Sequence, residues 1–171
     1  RLVARKGYMT LLRAMPKIIA KNPGVKLVIV GRGHMRKSLE KNAKKLGVQD
    51  SLHIRSSLSF EDLAQHFRSA DLVVYPSYYE GQGLIPLESL ASGTPVATVD
   101  AAPLTEMISI ENGGLFKRGE PESLAKCVNE MLADESRLEK AQVGREMVLD
   151  KFTYEQNAES YEKVFLRAIA K

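Results

Sequence analysis

The order of apolar patterns along the chain most constrains what it can fold into. Short, continuously apolar runs such as Leu27–Val30 and Leu72–Tyr75 alternate with longer amphipathic stretches such as Gly7–Lys21. A short apolar run between turn residues is typical of a strand buried on both faces, whereas apolar residues spaced three and four apart predict a helix. Strands and helices in alternation predict an α/β domain, in which right-handed crossovers build a parallel sheet with helices on both faces.

The same reading assigns every segment to an element. The predicted helices are Gly7–Lys21, Met35–Leu46, Phe60–Phe67, Gly83–Ala91, Leu104–Ile108, Pro121–Leu132, Ser136–Leu149 and Tyr154–Ala170. The predicted strands are Lys26–Val30, Leu52–Ile54, Leu72–Tyr75, Pro95–Thr98 and Gly114–Phe116. No long linker divides the 171 residues, so we predict a single domain over residues 1–171.

Composition excludes several classes of protein. Apolar residues make up 44% and charged residues 27% of the chain, as in ordinary globular proteins. The apolar runs are far shorter than the roughly 20 residues of a transmembrane helix. The single cysteine, Cys127, has no partner for an internal disulfide, which indicates a reducing cytoplasm. Three scattered histidines lack metal-ligand spacing, so no metal site is predicted.

Much of the small positive charge, +4 in total, lies on one predicted helix. Lys37, Lys41 and Lys45 recur every four residues and therefore share one face. The simplest interpretation is a solvated face, and the alternative is contact with anionic lipid. No aromatic residue interleaves with these lysines, which argues against a nucleic-acid partner.

Two carboxylates flank a predicted strand-to-helix turn, in Pro76-Ser-Tyr-Tyr-Glu80-Gly-Gln-Gly83-Leu-Ile-Pro-Leu-Glu88. Glu80 falls on the loop above the strand end, and Glu88 falls inside the helix that follows. Free N–H groups at the helix start lie between them and can bind an anionic phosphate, while the two acids bind hydroxyl groups on either side. A sugar nucleotide has this pattern of charge and hydroxyls.

The first seven residues read as a loop that leads from a strand into a helix, yet no strand precedes them. We expect that the chain is cut just after the first strand of its sheet and that a larger protein has an N-terminal part absent here. The alternative is that Leu2 and Val3 form an edge strand.

Several motifs in a fixed order resemble one family. They are Arg1-x4-Lys6-Gly7, Gly31-Arg-Gly33, Ala70-Asp71-Leu-Val-Val-Tyr-Pro76-Ser77, Glu80-Gly-x-Gly83-Leu-x3-Glu88, Gly93-Thr-Pro95-Val96 and Glu106. Together they resemble the C-terminal domain of the group 1 (family 4) retaining glycosyltransferases of the GT-B type. The resemblance implies a Rossmann-like domain that binds a nucleotide-sugar donor and faces an N-terminal domain that presents the acceptor.

The resemblance assigns roles to the charged residues. Arg1 and Lys6 correspond to the cations that bind the donor diphosphate, whose negative charge grows as the glycosidic bond breaks. Glu80 corresponds to the residue that faces the transferred sugar, and Glu88 to the one that binds the ribose hydroxyls. Without the motif context, Arg1 and Lys6 would be ordinary surface bases. Glu80 would be a helix-capping acid, and Glu88 an exposed helix residue.

Backbone positions complete the implied donor site. Gly81, Gly83 and Leu84 correspond to the turn whose N–H groups approach the phosphates, because a side chain would block this approach. Gly31 and Gly33 correspond to a loop near the base and phosphates. Ile54 and Arg55 correspond to residues that border the nucleobase.

The chain departs from the family pattern at Gln82, at Ser56 and in the loop Asp100–Pro103. Because of these differences, the resemblance does not identify the donor sugar. The loop at Gly31 also lacks the third glycine of a dinucleotide fingerprint, because Arg36 stands there. That difference argues against NAD.

The implied enzyme moves a hexose from a donor such as a UDP- or GDP-hexose to an acceptor hydroxyl with retention, using no metal and no cofactor. The acceptor would be a glycan or lipid-linked sugar held by the missing N-terminal domain. The expected location of the protein is the cytoplasm, with peripheral contact at the inner face of the membrane as an option. This chain alone would bind the donor without completing transfer. The alternatives are a GT-B nucleotide-sugar isomerase or hydrolase, and a non-catalytic nucleotide-binding or membrane-surface module.

Overall fold

The chain folds as strands and helices in alternation, as seen in a computed structural model that describes residues 1–170. The helices are α1 (Tyr8–Lys21), α2 (Arg36–Lys45), α3 (Phe60–Ser69), α4 (Leu84–Ala91), α5 (Pro121–Ala133), α6 (Arg137–Lys151) and α7 (Tyr154–Ile169). The strands are β1 (Leu27–Val30), β2 (Leu52–Arg55), β3 (Val73–Tyr75), β4 (Val96–Val99) and β5 (Gly114–Phe116). Short 3-10 turns cover Ala4–Lys6, Gln49–Ser51 and Leu104–Glu106.

All strand pairs are parallel, which confirms the predicted α/β class with helices on both faces. The strands form two sheets, however, and not the single sheet expected from the sequence. One sheet contains β1 and β2, with Leu27 opposite Leu52, and the other has the order β3-β4-β5. Among residues 1–170, the second edges of β1 and β3 have no hydrogen-bonded neighbour. These two unpaired edges are where the parallel strands are divided into two sheets.

Element boundaries differ from the sequence predictions by about one or two residues, and local backbone geometry explains the differences. Gly7 was expected to begin the first helix, but its φ of 69° is left-handed, so α1 begins at Tyr8. The helix predicted from Leu104 is reduced to a single 3-10 turn. Leu2 and Val3 belong to no strand, so the edge-strand alternative is wrong.

The N-terminal segment joins the two sheets at the ends of their first strands. The amide of Leu2 donates to the carbonyl oxygen of Arg32 (2.8 Å), just after β1. The carbonyl oxygen of Arg5 accepts from the amide of Tyr78 (2.7 Å), just after β3. Leu2 is fully buried. Residues predicted as a loop therefore belong to the core and to the hydrogen-bonded framework.

The core is centred on β4, whose four residues are all buried, as expected for a parallel strand covered on both faces. On one face α1 packs between α2 and α5, and on the other α4 packs against α6. The last helix, α7, contributes no buried residue. Its exposed apolar side chains include Tyr161, Phe165 and Ile169.

Gly7 and Gly47 have nearly the same backbone φ angle, so substituting each of them tests how closely the start of α1 approaches the loop after β3. Gly7 and Gly47 have φ values of 69° and 70°, but only at Gly7 would a Cβ atom collide with the carbonyl group of Pro76. We expect Gly47→Ala to cost about 1–2 kcal/mol, the strain of a left-handed residue. Gly7→Ala should lose clearly more stability in urea unfolding. Equal losses would show that the contact at Gly7 relaxes freely.

Candidate active site at the carboxyl edge of the sheets

The loops that follow β1, β3 and β4 meet at the edge where these parallel strands end. In open α/β sheets this edge is the usual place for ligands. The N-terminal segment lies here because it bonds to the loops after both β1 and β3. Four parts of the chain therefore meet at this edge, namely residues 1–7, 31–33, 76–88 and 100–106.

The centre of the site is a nearly buried ion pair between Lys6 and Glu80. The Lys6 Nζ and Glu80 Oε1 atoms are 2.5 Å apart, and the two side chains are 17% and 13% exposed. The same carboxylate oxygen accepts hydrogen bonds from the Tyr75 hydroxyl (2.6 Å) and the Ser77 hydroxyl (2.5 Å). Lys6 Nζ also donates to the Tyr75 hydroxyl oxygen at 2.9 Å. The four side chains form one connected polar cluster, which we call the Lys6 cluster.

The Lys6 cluster keeps Glu80 ionised. Burial acts to raise the pKa of Glu80, but hydrogen bonds from Lys6, Ser77 and Tyr75, together with the charge of Lys6, outweigh it and lower the pKa. Burial and the neighbouring carboxylate raise the pKa of Tyr75, so its hydroxyl keeps its proton and donates to Glu80. The cluster is therefore a fixed cation beside a fixed anion.

Sequence reasoning predicted Lys6 and Glu80, but it missed Tyr75 and Ser77 as site residues. Tyr75 was assigned only to the buried strand, and it is 8% exposed at the end of β3. The sequence feature that could have revealed Tyr75 is its hydroxyl group, which stands at the end of an otherwise apolar strand. That end lies at the sheet edge where ligands usually bind. Arg118 was also missed, and its guanidinium lies 5.1 Å from the Tyr79 ring centre, beside the same loop.

The start of α4 lies directly after the Glu80 loop and is open to a ligand. Gly83 has a left-handed φ of 91°, and a Cβ there would meet the Leu104 side chain. Among residues 1–170, no side chain caps the first amides of α4, and Leu84 is 58% exposed. Gly81 has open space around it. This helix start can therefore accept an anion.

Glu88 lies one helical turn beyond Leu84, on an exposed position of α4. Four residues along a helix correspond to a rise of about 6 Å. Desolvation by the surrounding protein raises the pKa of Glu88. Among residues 1–170, no cation or hydroxyl group bonds to the Glu88 carboxylate, so Glu88 has a different environment from Glu80.

The glycines after β1 make room for the N-terminal segment. A Cβ at Gly33 would collide with the backbone of Leu2, and Gly31 lies against the Leu2 side chain. Arg1 is exposed next to this loop. The two glycines therefore position Arg1 on the same edge as the Lys6 cluster.

Ile54 and Arg55 line a different feature from the Lys6 cluster. Both lie in β2 beside an open cavity of about 480 Å³ between α2 and β2. The cavity is lined by Arg36, Glu40, Ala43, Lys44, Gln49, Leu52, His53, Ile54 and Arg55. The carbonyl oxygen of Arg55 accepts from the amide of Gly31 (2.8 Å), so the structure connects Arg55 to one other predicted site residue. Among residues 1–170, no hydrogen bond links Ile54 or Arg55 to the Lys6 cluster.

Other chemistry-bearing groups are accounted for outside this site. Cys127 is buried in α5, and burial raises the pKa of its thiol to about 11. Residues 1–170 contain no group of three or more histidine, cysteine, aspartate or glutamate side chains placed to hold a metal ion. Within the same residues, no helix combines the length and apolar content needed to cross a membrane.

This geometry is that of a Rossmann-like α/β domain, and comparison with known proteins defines the family. The family model described as "Glycosyl transferases group 1" matches residues 1–146. The chain belongs to this family, which confirms the resemblance seen in the sequence motifs.

Individual relatives agree with this assignment. The chain is 35% identical to the lipopolysaccharide core biosynthesis glycosyltransferase LpsE of Rhizobium meliloti, over 94% of the chain and 46% of the relative. It is 33% identical to the GDP-mannose-dependent alpha-(1-6)-phosphatidylinositol monomannoside mannosyltransferase of Mycobacterium tuberculosis, over 86% of the chain and 41% of the relative.

A solved structure shows the same fold. Sucrose-phosphate synthase from Thermosynechococcus elongatus superposes with a TM-score of 0.87 and 29% identity, over 99% of this chain and 44% of that chain. This chain thus spans less than half the length of each of these three proteins.

Replacing Tyr75 tests how the Lys6 cluster sets the charge of Glu80. Tyr75→Phe removes one donor to the carboxylate, so we expect the pKa of Glu80 to rise toward the ordinary value of 4.5. A carboxyl pKa that is lower in the folded than in the unfolded chain stabilises the fold above the unfolded value, and this stability is lost as pH falls through the folded value. Carboxyl NMR titration measures the shift.

The variant should therefore be less stable than the original chain near about pH 6, by about 1–3 kcal/mol, and the difference should shrink toward about pH 3. Urea unfolding at both values checks this. Tyr79→Phe is the matched control, because Tyr79 is 67% exposed and lies in the same loop. An unchanged pKa of Glu80 would contradict the prediction.

Proposed function

We propose that this chain is the donor-binding domain of a retaining glycosyltransferase. The enzyme would move a hexose from a nucleoside-diphosphate sugar to an acceptor hydroxyl. The observation that carries the proposal is the Lys6–Glu80 pair, held at the carboxyl edge beside the uncapped start of α4. A cation, an anion and free amides at one edge match a diphosphate joined to a sugar.

Hydrogen-bond capacity supports separate roles for the two charges. The Lys6 ammonium has three protons, and its bonds to Glu80 and Tyr75 use two of them, which leaves one for a phosphate oxygen. The three bonds to Glu80 all go to Oε1, so Oε2 can accept from a sugar hydroxyl. Arg1, on the same edge, is the second cation proposed for the diphosphate.

The first turn of α4 and Glu88 complete the proposed donor site. The amides after Gly83 would bind a phosphate oxygen, and Glu88 would accept from both hydroxyls of the ribose. Gly31 and Gly33 would border the phosphates, and Ile54 and Arg55 the base. In the transition state, negative charge gathers on the leaving diphosphate, and fixed donors at this position lower the barrier without reorganising.

The remaining parts of the reaction belong to the whole enzyme. The acceptor, a glycan or lipid-linked sugar, would be presented by an N-terminal domain, and retention follows from the proposed family mechanism. No metal ion or cofactor enters the proposal. The GDP-mannose dependence of one relative makes a GDP-sugar a first choice of donor, alongside UDP-sugars. A cytoplasmic location is proposed with it, since Cys127 is a free thiol.

Calorimetric titration with UDP, GDP and ADP, free and sugar-linked, tests the proposed donor site. We expect binding of at least one diphosphate in the presence of EDTA. Glu88→Ala should weaken it by about 1–3 kcal/mol, through lost hydrogen bonds to a charged group. Glu159→Ala, on exposed α7, is the control. If neither this chain nor a longer protein that contains it binds any of these nucleotides, the proposal is wrong.

We also propose contact between α2 and an anionic membrane surface. Lys37, Lys41 and Lys45 are all exposed in the structure, and no acidic residue pairs with them among residues 1–170. A lysine near an anionic membrane contributes about 1 kcal/mol of binding free energy. A lipid-linked acceptor would place the enzyme at such a surface.

Sedimentation with phosphatidylserine vesicles measures this contact. Reversing the three charges to glutamate should abolish cosedimentation at low salt. The control reverses three exposed lysines elsewhere, Lys21, Lys126 and Lys163, and should retain binding. Equal loss in both variants would indicate an effect of net charge alone.

A further inference from the structure

We propose that an acidic, extended segment of a partner protein binds along the outer edge of β2, as an added strand in the groove between β2 and α2. We call this cavity the β2 groove. Free backbone groups on β2, the length of the groove and its charge support the proposal. The outer edge of β2 is the one that faces away from β1, so the segment would bind on the far side of β1 from the Lys6 cluster.

The outer edge of β2 has no strand neighbour. Among residues 1–170, β2 pairs only with β1. In a parallel pair, one residue directs both of its backbone groups to one side of the strand, and the next residue directs them to the other side. Arg55 faces β1, because its carbonyl oxygen accepts from the amide of Gly31. Leu52 and Ile54 therefore direct their backbone groups outward.

Part of this outward edge is already bonded within the chain. The amide of Leu52 donates to the carbonyl oxygen of Gln49. The carbonyl oxygen of Ile54 accepts from the Arg36 guanidinium at 3.4 Å, which is long for a hydrogen bond. Within the described part of the chain, the carbonyl oxygen of Leu52 and the amide of Ile54 have no partner beyond the edge. An added strand would bond to these two groups.

The β2 groove has the length of a short strand. Its volume is about 480 Å³, and its lining consists of one face of α2 (Arg36, Glu40, Ala43 and Lys44) together with Gln49 and all of β2. Eight helical steps, from residue 36 to residue 44, correspond to about 12 Å. Four residues of a strand correspond to about 13 Å. An extended segment of about four residues therefore fits along the groove.

The free charges of the β2 groove are positive. Glu40 pairs with Arg36 at 3.0 Å, so these two charges offset each other. Lys44 and Arg55 are exposed, and no acidic side chain pairs with either of them among residues 1–170. Since α2 runs opposite to the parallel strands that it joins, these two cations lie at opposite ends of the groove. A bound strand would meet them best with acidic residues near both of its ends.

This charge selects an acidic partner over a second copy of the chain. Cations on an edge strand discourage it from pairing with its own copies. By contrast, the addition of an extended segment to a sheet edge is a general mode of peptide recognition, in which backbone bonds give affinity and side chains give specificity. Electrostatic complementarity then sets which segment binds.

The two faces of β2 predict the pattern of the added segment. Leu52 and Ile54 pack against the core, whereas His53 and Arg55 are exposed on the opposite face. Neighbouring strands place the side chains of opposed residues on the same face. The segment should therefore alternate apolar residues beside Leu52 and Ile54 with acidic residues beside His53 and Arg55.

NMR titration of the chain with the peptide Glu-Val-Glu-Val-Glu-Val-Glu tests the proposal. At an ionic strength of about 0.15 M, charges farther apart than about 8 Å are screened, so attraction by distant lysines is suppressed. We expect saturable binding, with the largest amide shifts at residues 52–56. The peptide Lys-Val-Lys-Val-Lys-Val-Lys should bind at least about tenfold more weakly.

Methylated peptides separate an added strand from a purely ionic contact. One version of the acidic peptide carries N-methyl groups on its valines, and another carries them on its inner glutamates. Only one of these two sets of amides faces β2 in an added strand. One version should therefore lose binding, and the other should retain it.

Two neighbouring lysines provide a matched test in the protein. Lys44 and Lys45 are both exposed in the last turn of α2, and only Lys44 lines the β2 groove. Lys44→Glu and Lys45→Glu change the net charge and the helix end equally. Lys44→Glu should weaken binding of the acidic peptide at least about threefold more than Lys45→Glu does.

Several results would overturn the proposal. Absence of binding, or largest shifts at Gly83 and Leu84 or along Lys37, Lys41 and Lys45, would place the acidic peptide elsewhere or nowhere. Equal binding of the lysine peptide, equal effects of the two methylated versions, or equal effects of the two lysine substitutions would each contradict an added acidic strand. Shifts at residues 52–56 that grow with protein concentration, without peptide, would identify a second copy as the occupant.

Discussion

The bonds from the first seven residues to both sheets are the constraint on which the rest of this structure depends. Leu2 is buried and bonds to the loop after β1, while Arg5 bonds to the loop after β3. Gly7 then turns the chain into α1 in direct contact with Pro76. Since β1 and β3 do not pair with each other, this segment and the helices α1 and α3 carry the connection between the sheets.

The same segment creates the site, because it places Lys6 against Glu80. A largely buried ion pair is costly to desolvate, and it is favourable only if its remaining hydrogen bonds are satisfied. Tyr75 and Ser77 satisfy the carboxylate, and Tyr75 also accepts from Lys6. The pair is therefore already fixed in the folded chain, and this is the preorganisation that its proposed electrostatic role requires. Membership in the group 1 glycosyltransferases gives this geometry its chemical context.

Much of the fold could be predicted from the sequence because its patterns are local. The apolar run at β4 and the amphipathic spacing of α1 depend only on residues near in the chain, and both elements appear within one residue of their predicted bounds. The sheet order was less accessible, since hydrogen bonding between distant strands leaves no local pattern. The division into two sheets and the burial of Leu2 were both missed for this reason.

For the site, the sequence by itself determined the chemical types and their order, with Lys6, Glu80, Gly83 and Glu88 on turns at strand ends. Only the tertiary structure decided which of them meet. It joined Lys6 to Glu80 across 74 positions, added Tyr75 and Ser77, and set Ile54 and Arg55 beside a separate cavity. The physical reason is that contact between side chains depends on how strands and loops pack in space, and spacing along the chain does not contain that information.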